Sequence, residues 1–182
     1  ANSNCGRYLI TLAKERGIKT CNIVRRDSLF DELYALGADI CIVDTEDPDL
    51  LSDNVSKLTK GAKINLGFDL VAGKATERIA RCLTYGGKVV NYGFISKEPC
   101  LLPFHDLFFK NITLTGMSTG RGLEKRDMNK IRNIYFSLSK KINEGKLLAK
   151  IAAQYSLEDF SKAFEHAEKT GDKRNGKIIF VM

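Results

Sequence analysis

Short apolar runs alternate with amphipathic helical segments along almost the whole 182-residue sequence, and this alternation constrains the fold more than any other feature. Glycines such as Gly17 and Gly37 follow helical segments, as expected where a helix ends in a left-handed residue. Mostly apolar strands separated by helices are typical of a parallel sheet that is covered on both faces. Because such crossovers are right-handed, we expect an α/β fold with a doubly wound parallel sheet.

The periodicity predicts the order of the elements in detail. Strands are predicted at the runs "KTCNIV", "DICIVD", "INLGFDLV", "GGKVVNYG", "ITLTGM" and "KIIFVM". Helices are predicted at about 6–16, 28–36, 47–58, 74–83 and 124–143, with a short one after Pro103 and a last one opened by Ser156. Ser28 is the expected cap of the second helix. No linker-like tract divides the chain before about Leu147.

Composition excludes several classes of protein. No apolar run is long enough to cross a membrane, so we expect no membrane partner. The net charge of +7 comes largely from residues 121–150. Basic residues alternate there with apolar ones such as Ile134 and Phe136 at helical spacing, which indicates a solvated helix face and no nucleic-acid partner. A polyanionic ligand, such as a nucleotide or a CoA-like carrier, would explain the rest of the charge equally well.

Five cysteines lie far apart with no CxxC pair, which argues against structural zinc and against a disulfide framework. Buried thiols in a reducing compartment are the simpler interpretation, and we expect a cytoplasmic location, or the mitochondrial matrix if the source is a eukaryote. His105 and His166 have no partners at metal-ligand spacing and are predicted to lie on helix surfaces. With no GxSxG or Walker motif, the sequence predicts a cofactor site without catalytic residues or metal ligands.

Two early loops have the residues that such a cofactor needs. "NSNCGR" opens the first helix, where free amides and the helix dipole favour a pyrophosphate and Gly6 permits close packing, although an ordinary capped helix would look the same. "VRRDS" follows the next strand and places Arg25 and Arg26 where an NAD-binding unit has an acidic residue. Two guanidiniums can bind a 2′-phosphate, which predicts NADP(H) over NAD, while a pair of surface arginines is the alternative.

Later loops would supply the other end of the site. Gly73 in "DLVAGK" and Gly93 in "NYGFIS" permit a close approach of the backbone. Tyr92 and Phe94 could form a flat wall beside a nicotinamide, although Phe94 is an equally good candidate for the core. "TGMSTGRG" follows the strand at 112–116 and would form a loop at the same edge of the sheet.

The fragments "NSNCGR", "LAKERGIKTCNIVRR", "DLVAGK", "LTYGGKVVNYGF", "FKNITLTG" and "GKIIFVM", in this order, resemble the cofactor-binding half of medium-chain dehydrogenases/reductases. The subgroup that they resemble is that of mitochondrial-type 2-enoyl thioester reductases and the related quinone oxidoreductases. The resemblance implies a Rossmann domain and residues lining three parts of a cofactor site. These are Asn2, Ser3, Asn4, Cys5 and Gly6 at the pyrophosphate, Arg25, Arg26 and Asp27 at the 2′-phosphate, and Tyr92, Gly93, Phe94, Ile95, Met117, Ser118, Thr119 and Lys177 at the nicotinamide end or reaching the cofactor. The sequence departs from the family at Asn4, where a glycine is usual.

The resemblance also implies what the chain contributes. We expect residues 1–146 to form the Rossmann domain without its first strand, and residues 147–182 to pack on a GroES-like catalytic domain that is not in this sequence. The expected function is the NADP-binding portion of an oxidoreductase that transfers hydride from NADPH to an enoyl thioester. A quinone oxidoreductase of the same superfamily and a non-catalytic nucleotide-binding module are the alternatives. A zinc alcohol dehydrogenase is less favoured.

The strand order of a doubly wound sheet predicts a gap inside this sheet and a free strand at its edge. In the doubly wound order, the first strand lies between the strands that end near Val24 and Asp69. Without it, the two halves of the sheet would be separated by two strand spacings, roughly 10 Å, and could not pair. The strand Ile112–Thr115 would form an edge through which relatives extend their sheet, and a homodimer is therefore expected.

Overall fold

The structure is a computed structural model, and it describes residues 1–118, 120, 127–169, 171–174 and 176–181. Helices and strands alternate through most of this range. The helices are α1 (Asn4–Glu15), α2 (Phe30–Ala35), α3 (Pro48–Thr59), α4 (Lys74–Cys82), α5 (Phe104–Phe108), α6 (Met128–Asn143) and α7 (Phe160–Glu168). The strands are β1 (Cys21–Val24), β2 (Ile40–Val43), β3 (Leu66–Asp69), β4 (Lys88–Asn91), β5 (Thr113–Gly116), β6 (Ile151–Tyr155) and β7 (Lys177–Phe180).

Capping side chains begin the longer helices. The Ser3 hydroxyl accepts a hydrogen bond from the Gly6 amide at the start of α1. Asp47 caps α3 ahead of Pro48, and Asp127 caps α6. The prediction that Ser28 caps the second helix is wrong: Ser28 lies inside a 3₁₀ turn at Asp27–Leu29, and α2 begins only after it.

All the strand pairs described are parallel, which confirms the α/β Rossmann-like class, and the strands form separate sheets. β1 pairs with β2, and β3, β4 and β5 pair in that order. β1 and β3 are not hydrogen-bonded to each other. The two halves of the expected sheet therefore do not pair, as predicted.

Helices α3 and α4 hold the two halves together instead. α3 packs on β2 through Val55, which is buried with Ile42. The Arg78 guanidinium of α4 forms two 2.8 Å hydrogen bonds with the carboxylate of Asp44, just after β2. Two parallel bonds of this kind fix orientation as well as distance. The relative position of the half-sheets is thus set by helix packing and an ion pair.

Each half has its own core. Beside β1 and β2 the core contains Ile10, Leu29 and Leu33, and it includes Cys41 as a small buried residue. Beside β3, β4 and β5 the core contains Ala80, Leu83, Val89 and Ile112. The expectation of buried thiols is confirmed for Cys41 alone, because Cys21, Cys82 and Cys100 are half-buried and Cys5 is exposed.

The last part of the chain forms a small sheet of its own. β6 and β7 pair in parallel, and α7 packs beside them with Ala163 buried. Ser156 precedes a 3₁₀ turn at Leu157–Asp159, after which α7 begins. His105 is exposed on α5, as predicted, whereas His166 is half-buried, and its Nδ1 lies 2.9 Å from the Tyr155 hydroxyl.

α6 begins at Met128, and the predicted earlier start near Glu124 lies outside the described residues. α6 contains no buried residue in this structure. Its basic residues Lys130, Arg132 and Lys140 are exposed, as expected, but Lys141 is half-buried and forms an ion pair with Glu15 of α1. The apolar residues of α6 are exposed too: Ile134 is 59% exposed and Phe136 is 74% exposed.

Candidate cofactor-binding site

The start of α1 forms a tight turn. The Ser3 hydroxyl oxygen accepts a hydrogen bond from the Gly6 amide at 3.1 Å. The Arg7 side chain donates a hydrogen bond through Nε to the Asn2 carbonyl oxygen at 3.0 Å. A Cβ atom on Gly6 would collide with the Ala1 carbonyl group, so only glycine fits there. The first turn of α1 carries no acidic residue. Its free amides and the helix dipole are thus available to an anion.

Arg7 anchors this turn, and the sequence analysis missed it. Arg7 is only 7% exposed, and its guanidinium pairs with the Glu32 carboxylate of α2. Lys150 also reaches Glu32, at 3.1 Å. The hydrogen bond from Arg7, followed by that from Lys150, lowers the pKa of Glu32 to about 2 despite partial burial. The sequence feature that could have identified Arg7 is its position directly after the glycine of the turn.

The two arginines lie where the sequence places them, at the carboxyl end of β1. Arg25 is exposed, Arg26 is half-buried, and Asp27 begins the 3₁₀ turn that follows. Asn2, Ser3, Asn4, Gly6, Arg25 and Arg26 line one groove. The structure therefore brings the turn and the arginine pair together. Cys5 and Asp27 are exposed close by.

A separate cavity of about 420 Å³ lies at the carboxyl ends of β4 and β5. Five of the predicted residues line it, together with two that the sequence analysis missed: Tyr92, Gly93, Phe94, Met117 and Ser118, then Asn91 and Gly116. Ile95 and Lys177 instead line the groove beside the arginines, and Thr119 lies outside the described residues. Phe94 is 59% exposed, so the alternative that it belongs to the core is wrong.

Tyr92 connects the cavity to the turn. Its hydroxyl lies beside the Ser3 side chain, and its ring lies edge-on to Phe68 with the centroids 6.5 Å apart. Burial raises the pKa of the Tyr92 hydroxyl, and the interaction with Ser3 opposes part of that rise. The cap of α1 and the wall of the cavity therefore belong to one continuous surface.

A buried carboxylate shapes the loop after β3. Asp69 is 1% exposed and accepts hydrogen bonds from the amides of Val71 and Ala72 at 2.8 and 3.1 Å, and from the Thr76 hydroxyl at 2.6 Å. A Cβ atom on Gly93 would lie 2.6 Å from the Leu70 carbonyl oxygen of this loop. The expected close approach of the backbone at Gly93 is thus observed. An aspartate at a strand end with a threonine seven residues later was the missed signal.

The part of the chain that the structure describes contains no group of three or more His, Cys, Asp or Glu side chains that could hold a metal ion. No helix in the same residues is both long and apolar enough to cross a membrane.

Known proteins resemble this chain in sequence and in fold. A mitochondrial enoyl-acyl-carrier-protein reductase of Xenopus tropicalis is 34% identical over 176 residues, covering 92% of this chain and 49% of that protein. A mycobacterial quinone oxidoreductase has a similar fold, with a TM-score of 0.81 at 19% identity over 97% of this chain and 53% of that one. The mitochondrial 2-enoyl thioester reductase heterodimer Etr1p/Etr2p of Candida tropicalis gives a TM-score of 0.80 at 21% identity over 97% and 51% of the two chains. A complex of Etr1p with NADP and crotonyl-CoA gives 0.77 at 22% identity over 92% and 50%.

The chain spans about half the length of the curated relatives that it matches. These similarities confirm the resemblance to the cofactor-binding half of medium-chain dehydrogenases/reductases. Residues 5–135 match the family of zinc-binding dehydrogenases. Since that match includes more than half of the sequence, the chain belongs to the zinc-binding dehydrogenase family.

Proposed function

We propose that this chain is the NADP(H)-binding portion of an oxidoreductase that transfers hydride from NADPH to the double bond of an enoyl thioester. The observation that carries the proposal is the position of Arg25 and Arg26. They follow β1 directly and line the same groove as the capped start of α1. A 2′-phosphate and a pyrophosphate are the two anionic parts of NADPH, and these residue types suit them.

The residues present fit the cofactor. The amides at the start of α1 would bind the pyrophosphate, and the arginine pair would bind the 2′-phosphate. The cavity lined by Tyr92, Gly93 and Phe94 would hold the nicotinamide, which supplies the hydride when bound. Lys177, exposed at the start of β7, would reach the cofactor from the groove. We assign no catalytic residue to this chain.

The substrate class is supported by the relatives. The Xenopus protein is named an enoyl-acyl-carrier-protein reductase, and Etr1p has been solved with crotonyl-CoA. An enoyl thioester is therefore the proposed substrate of the whole enzyme. The zinc in the family's name has no ligand set among the described residues.

Nucleotide titration tests the cofactor assignment. Binding of NADPH and NADH to the purified protein would be followed by nucleotide fluorescence, then repeated with Arg25→Ala and Arg26→Ala. Removing a charge-assisted phosphate contact costs roughly 1.5–3 kcal/mol, so NADPH affinity should fall about tenfold or more while NADH affinity stays the same. Arg132→Ala, which changes an exposed arginine of α6 outside the groove, is the matched control. Unchanged NADPH affinity in both test variants would overturn the assignment.

A quinone oxidoreductase is the second candidate, because the mycobacterial quinone oxidoreductase shares the fold at a TM-score of 0.81. Turnover of crotonyl-CoA against a quinone by the purified protein with NADPH separates the two. If nucleotide raises the melting temperature but neither crotonyl-CoA nor the quinone is turned over, the result would instead support a non-catalytic nucleotide-binding module.

We also propose that the last part of this chain contacts a second domain of the whole protein. Residues 147–182 would pack on a GroES-like catalytic domain, which is supported by their exposed apolar side chains: Leu148, Leu157, Phe160 and Phe164 are 55–67% exposed. A location in the mitochondrial matrix is supported by the mitochondrial relatives. Import of a fluorescent fusion into mitochondria tests it.

A homodimer through the edge strand is also proposed. β5 pairs with β4 on one side, and the strand residues Thr113, Thr115 and Gly116 are exposed. The known Etr1p/Etr2p heterodimer supports assembly of this type of chain in pairs. Light scattering at micromolar protein should give twice the chain mass, and Thr115→Pro should reduce it to one chain. A monomeric mass for the unmodified protein would contradict the dimer.

A further inference from the structure

Three residues form a row across the sheet of β3, β4 and β5. In the parallel ladders, Asp69 lies opposite Asn91, and Asn91 lies opposite Gly116. Because residues in register direct their side chains to the same face of a sheet, the Asp69 carboxylate, the Asn91 amide and the space above Gly116 are neighbours. The row lies at the carboxyl ends of the three strands, where a doubly wound sheet binds its ligands.

Asp69 fixes the orientation of the Asn91 side chain. The Nδ2 atom of Asn91 donates a hydrogen bond to Asp69 Oδ2 at 3.3 Å. Two loop amides and the Thr76 hydroxyl also donate to the Asp69 carboxylate, so its oxygens act as acceptors. Since a carboxylate accepts hydrogen bonds, the nitrogen of the Asn91 amide faces Asp69 and the oxygen does not. Oδ1 and the second N–H of Asn91 are left for other partners.

Space for such a partner lies beside Asn91 in the same row. Apart from its neighbours in the chain, Gly116 has no atom within 4 Å of the position that a Cβ atom would take. Asn91 and Gly116 both line the cavity of about 420 Å³, and Asn91 is half-buried. A ligand group seated above Gly116 would therefore meet the Asn91 amide.

The charge of the row restricts what this ligand group can be. Asp69 is 1% exposed, and a buried carboxylate repels an anion strongly because little water screens it. The phosphate groups of a nucleotide are therefore disfavoured beside Asn91. A neutral group that donates one hydrogen bond and accepts another matches the two free positions of the amide.

We propose that Asn91, oriented by Asp69, recognises the primary carboxamide of the nicotinamide ring above Gly116. Oδ1 of Asn91 accepts a hydrogen bond from the carboxamide N–H, and the remaining N–H of Asn91 donates to the carboxamide oxygen. Asn91 is then a specificity-determining residue, and Asp69 is a positioning residue that acts through it. This inference rests on the proposed function, because it needs the nicotinamide cofactor.

Calorimetric titration of the purified protein with three nucleotides tests the proposal. They are NADPH, its acetylpyridine analogue, which keeps the carbonyl group but has no N–H to donate, and 2′-phospho-ADP-ribose, which has no nicotinamide. The unmodified protein should bind NADPH about fivefold or more tightly than the analogue, because one hydrogen bond is lost. In Asn91→Leu this preference should fall below about twofold. The affinity of Asn91→Leu for 2′-phospho-ADP-ribose should stay within about twofold of the unmodified value, because that nucleotide does not reach the row.

Asn133→Leu changes an exposed asparagine of α6 and is the matched control, which should keep the full preference. Gly116→Val is an independent variant, because it fills the space above the row and leaves Asn91 in place. It should weaken the binding of NADPH and of the analogue alike, and it should not weaken that of 2′-phospho-ADP-ribose. If Asn91→Leu fails to fold, Asn91→Ser replaces it, since the serine side chain is too short to reach the carboxamide.

An unchanged preference for NADPH in the Asn91 variant would overturn the proposal. Equal binding of NADPH and the analogue by the unmodified protein would do the same. If NADPH and 2′-phospho-ADP-ribose bind with equal affinity, the ring lies outside the cavity, and the proposal is overturned while the cofactor assignment stands. If none of the three nucleotides binds, the proposed function itself is overturned, and this inference with it.

Discussion

The Tyr92 hydroxyl lies beside the Ser3 side chain, which caps α1. These residues are far apart in the sequence, on the loop after β4 and at the first helix. Their contact joins the turn proposed for the pyrophosphate to the cavity proposed for the nicotinamide. A substitution at one of these two residues should therefore change the effect on NADPH binding of a substitution at the other.

We expect Tyr92→Phe to weaken NADPH binding about fivefold, because a lost polar interaction costs about 1 kcal/mol. Ser3→Ala should weaken NADPH binding as well and should lower stability by about 1 kcal/mol through loss of the cap. The double variant should cost less than the sum of the single variants, since the two side chains share one contact. Tyr85→Phe is the control, as Tyr85 is 72% exposed. Strict additivity in fluorescence titrations would contradict coupling between the two residues.

Gly93→Ala should destabilise the protein by about 1–3 kcal/mol, because its new methyl group would lie 2.6 Å from the Leu70 carbonyl oxygen. Gly116→Ala is a matched control in the same cavity, since no atom lies within 4 Å of its added methyl group. Urea unfolding of both variants measures the difference. Equal stability of the two would show that the loop after β3 yields to the methyl group.

Glu32 should make stability depend on pH in the acid range. Its pKa is lowered to about 2, mainly by the hydrogen bond from Arg7, from an ordinary value of 4.5. The unfolded chain thus takes up the proton first as the pH falls, so the stabilisation is complete above about pH 4.5 and is lost progressively towards pH 2. Glu32→Gln should be less stable than the unmodified protein at pH 6.

The difference in stability between the unmodified protein and Glu32→Gln should decrease as the pH falls from 4.5 to 2. Thermal unfolding measures this difference. Glu46→Gln removes an exposed carboxylate outside this ion pair and serves as the control. A stability difference that stays constant over this pH range would contradict the role given to the Arg7–Glu32 pair.

The cysteines should differ sharply in reactivity. Burial raises the pKa of Cys21 to about 11 and that of Cys82 to about 12. At pH 8 no more than about one in a thousand of these thiols would be ionised, and the thiolate is the reactive form. Cys5 is exposed on the proposed pyrophosphate turn. Iodoacetamide followed by peptide mass spectrometry should therefore label Cys5 well before Cys21 and Cys82.

NADPH should slow the labelling of Cys5, because the cofactor would cover the turn. The half-buried Cys100 provides an internal reference for reagent access. Labelling of Cys5 at the same rate with and without saturating NADPH would argue against a cofactor at the start of α1.

Local signals identified the parts of the fold that depend on neighbouring residues. The alternation of apolar runs predicted the parallel strands, and the glycines and capping residues placed most helix ends within a few residues. Ser28 was the exception, because a 3₁₀ turn took the place of the first helical turn. Arg25 and Arg26 could be identified from the sequence, because their basic side chains and their position directly after a predicted strand are both local features.

Long-range contacts could not be found in this way. Nothing near Arg7 indicates Glu32 and Lys150 as its partners, and nothing near Tyr92 indicates Ser3. The apolar residues of α6 have helical spacing, which predicts a helix but does not show whether another surface covers them. The sequence favoured neither the core nor the cavity for Phe94, because that choice also depends on which surfaces pack against it.

By itself, the sequence determined the class of fold, the order of its elements and the residue types at the ends of the strands, because these follow from periodicity and backbone preference. Only the tertiary structure decided which loops share a surface, that Asp69 is a buried loop anchor, and that α3 and α4 connect two half-sheets that are not hydrogen-bonded to each other. The physical reason is that hydrogen bonds, ion pairs and burial depend on distances between residues remote in the chain, which no local pattern encodes.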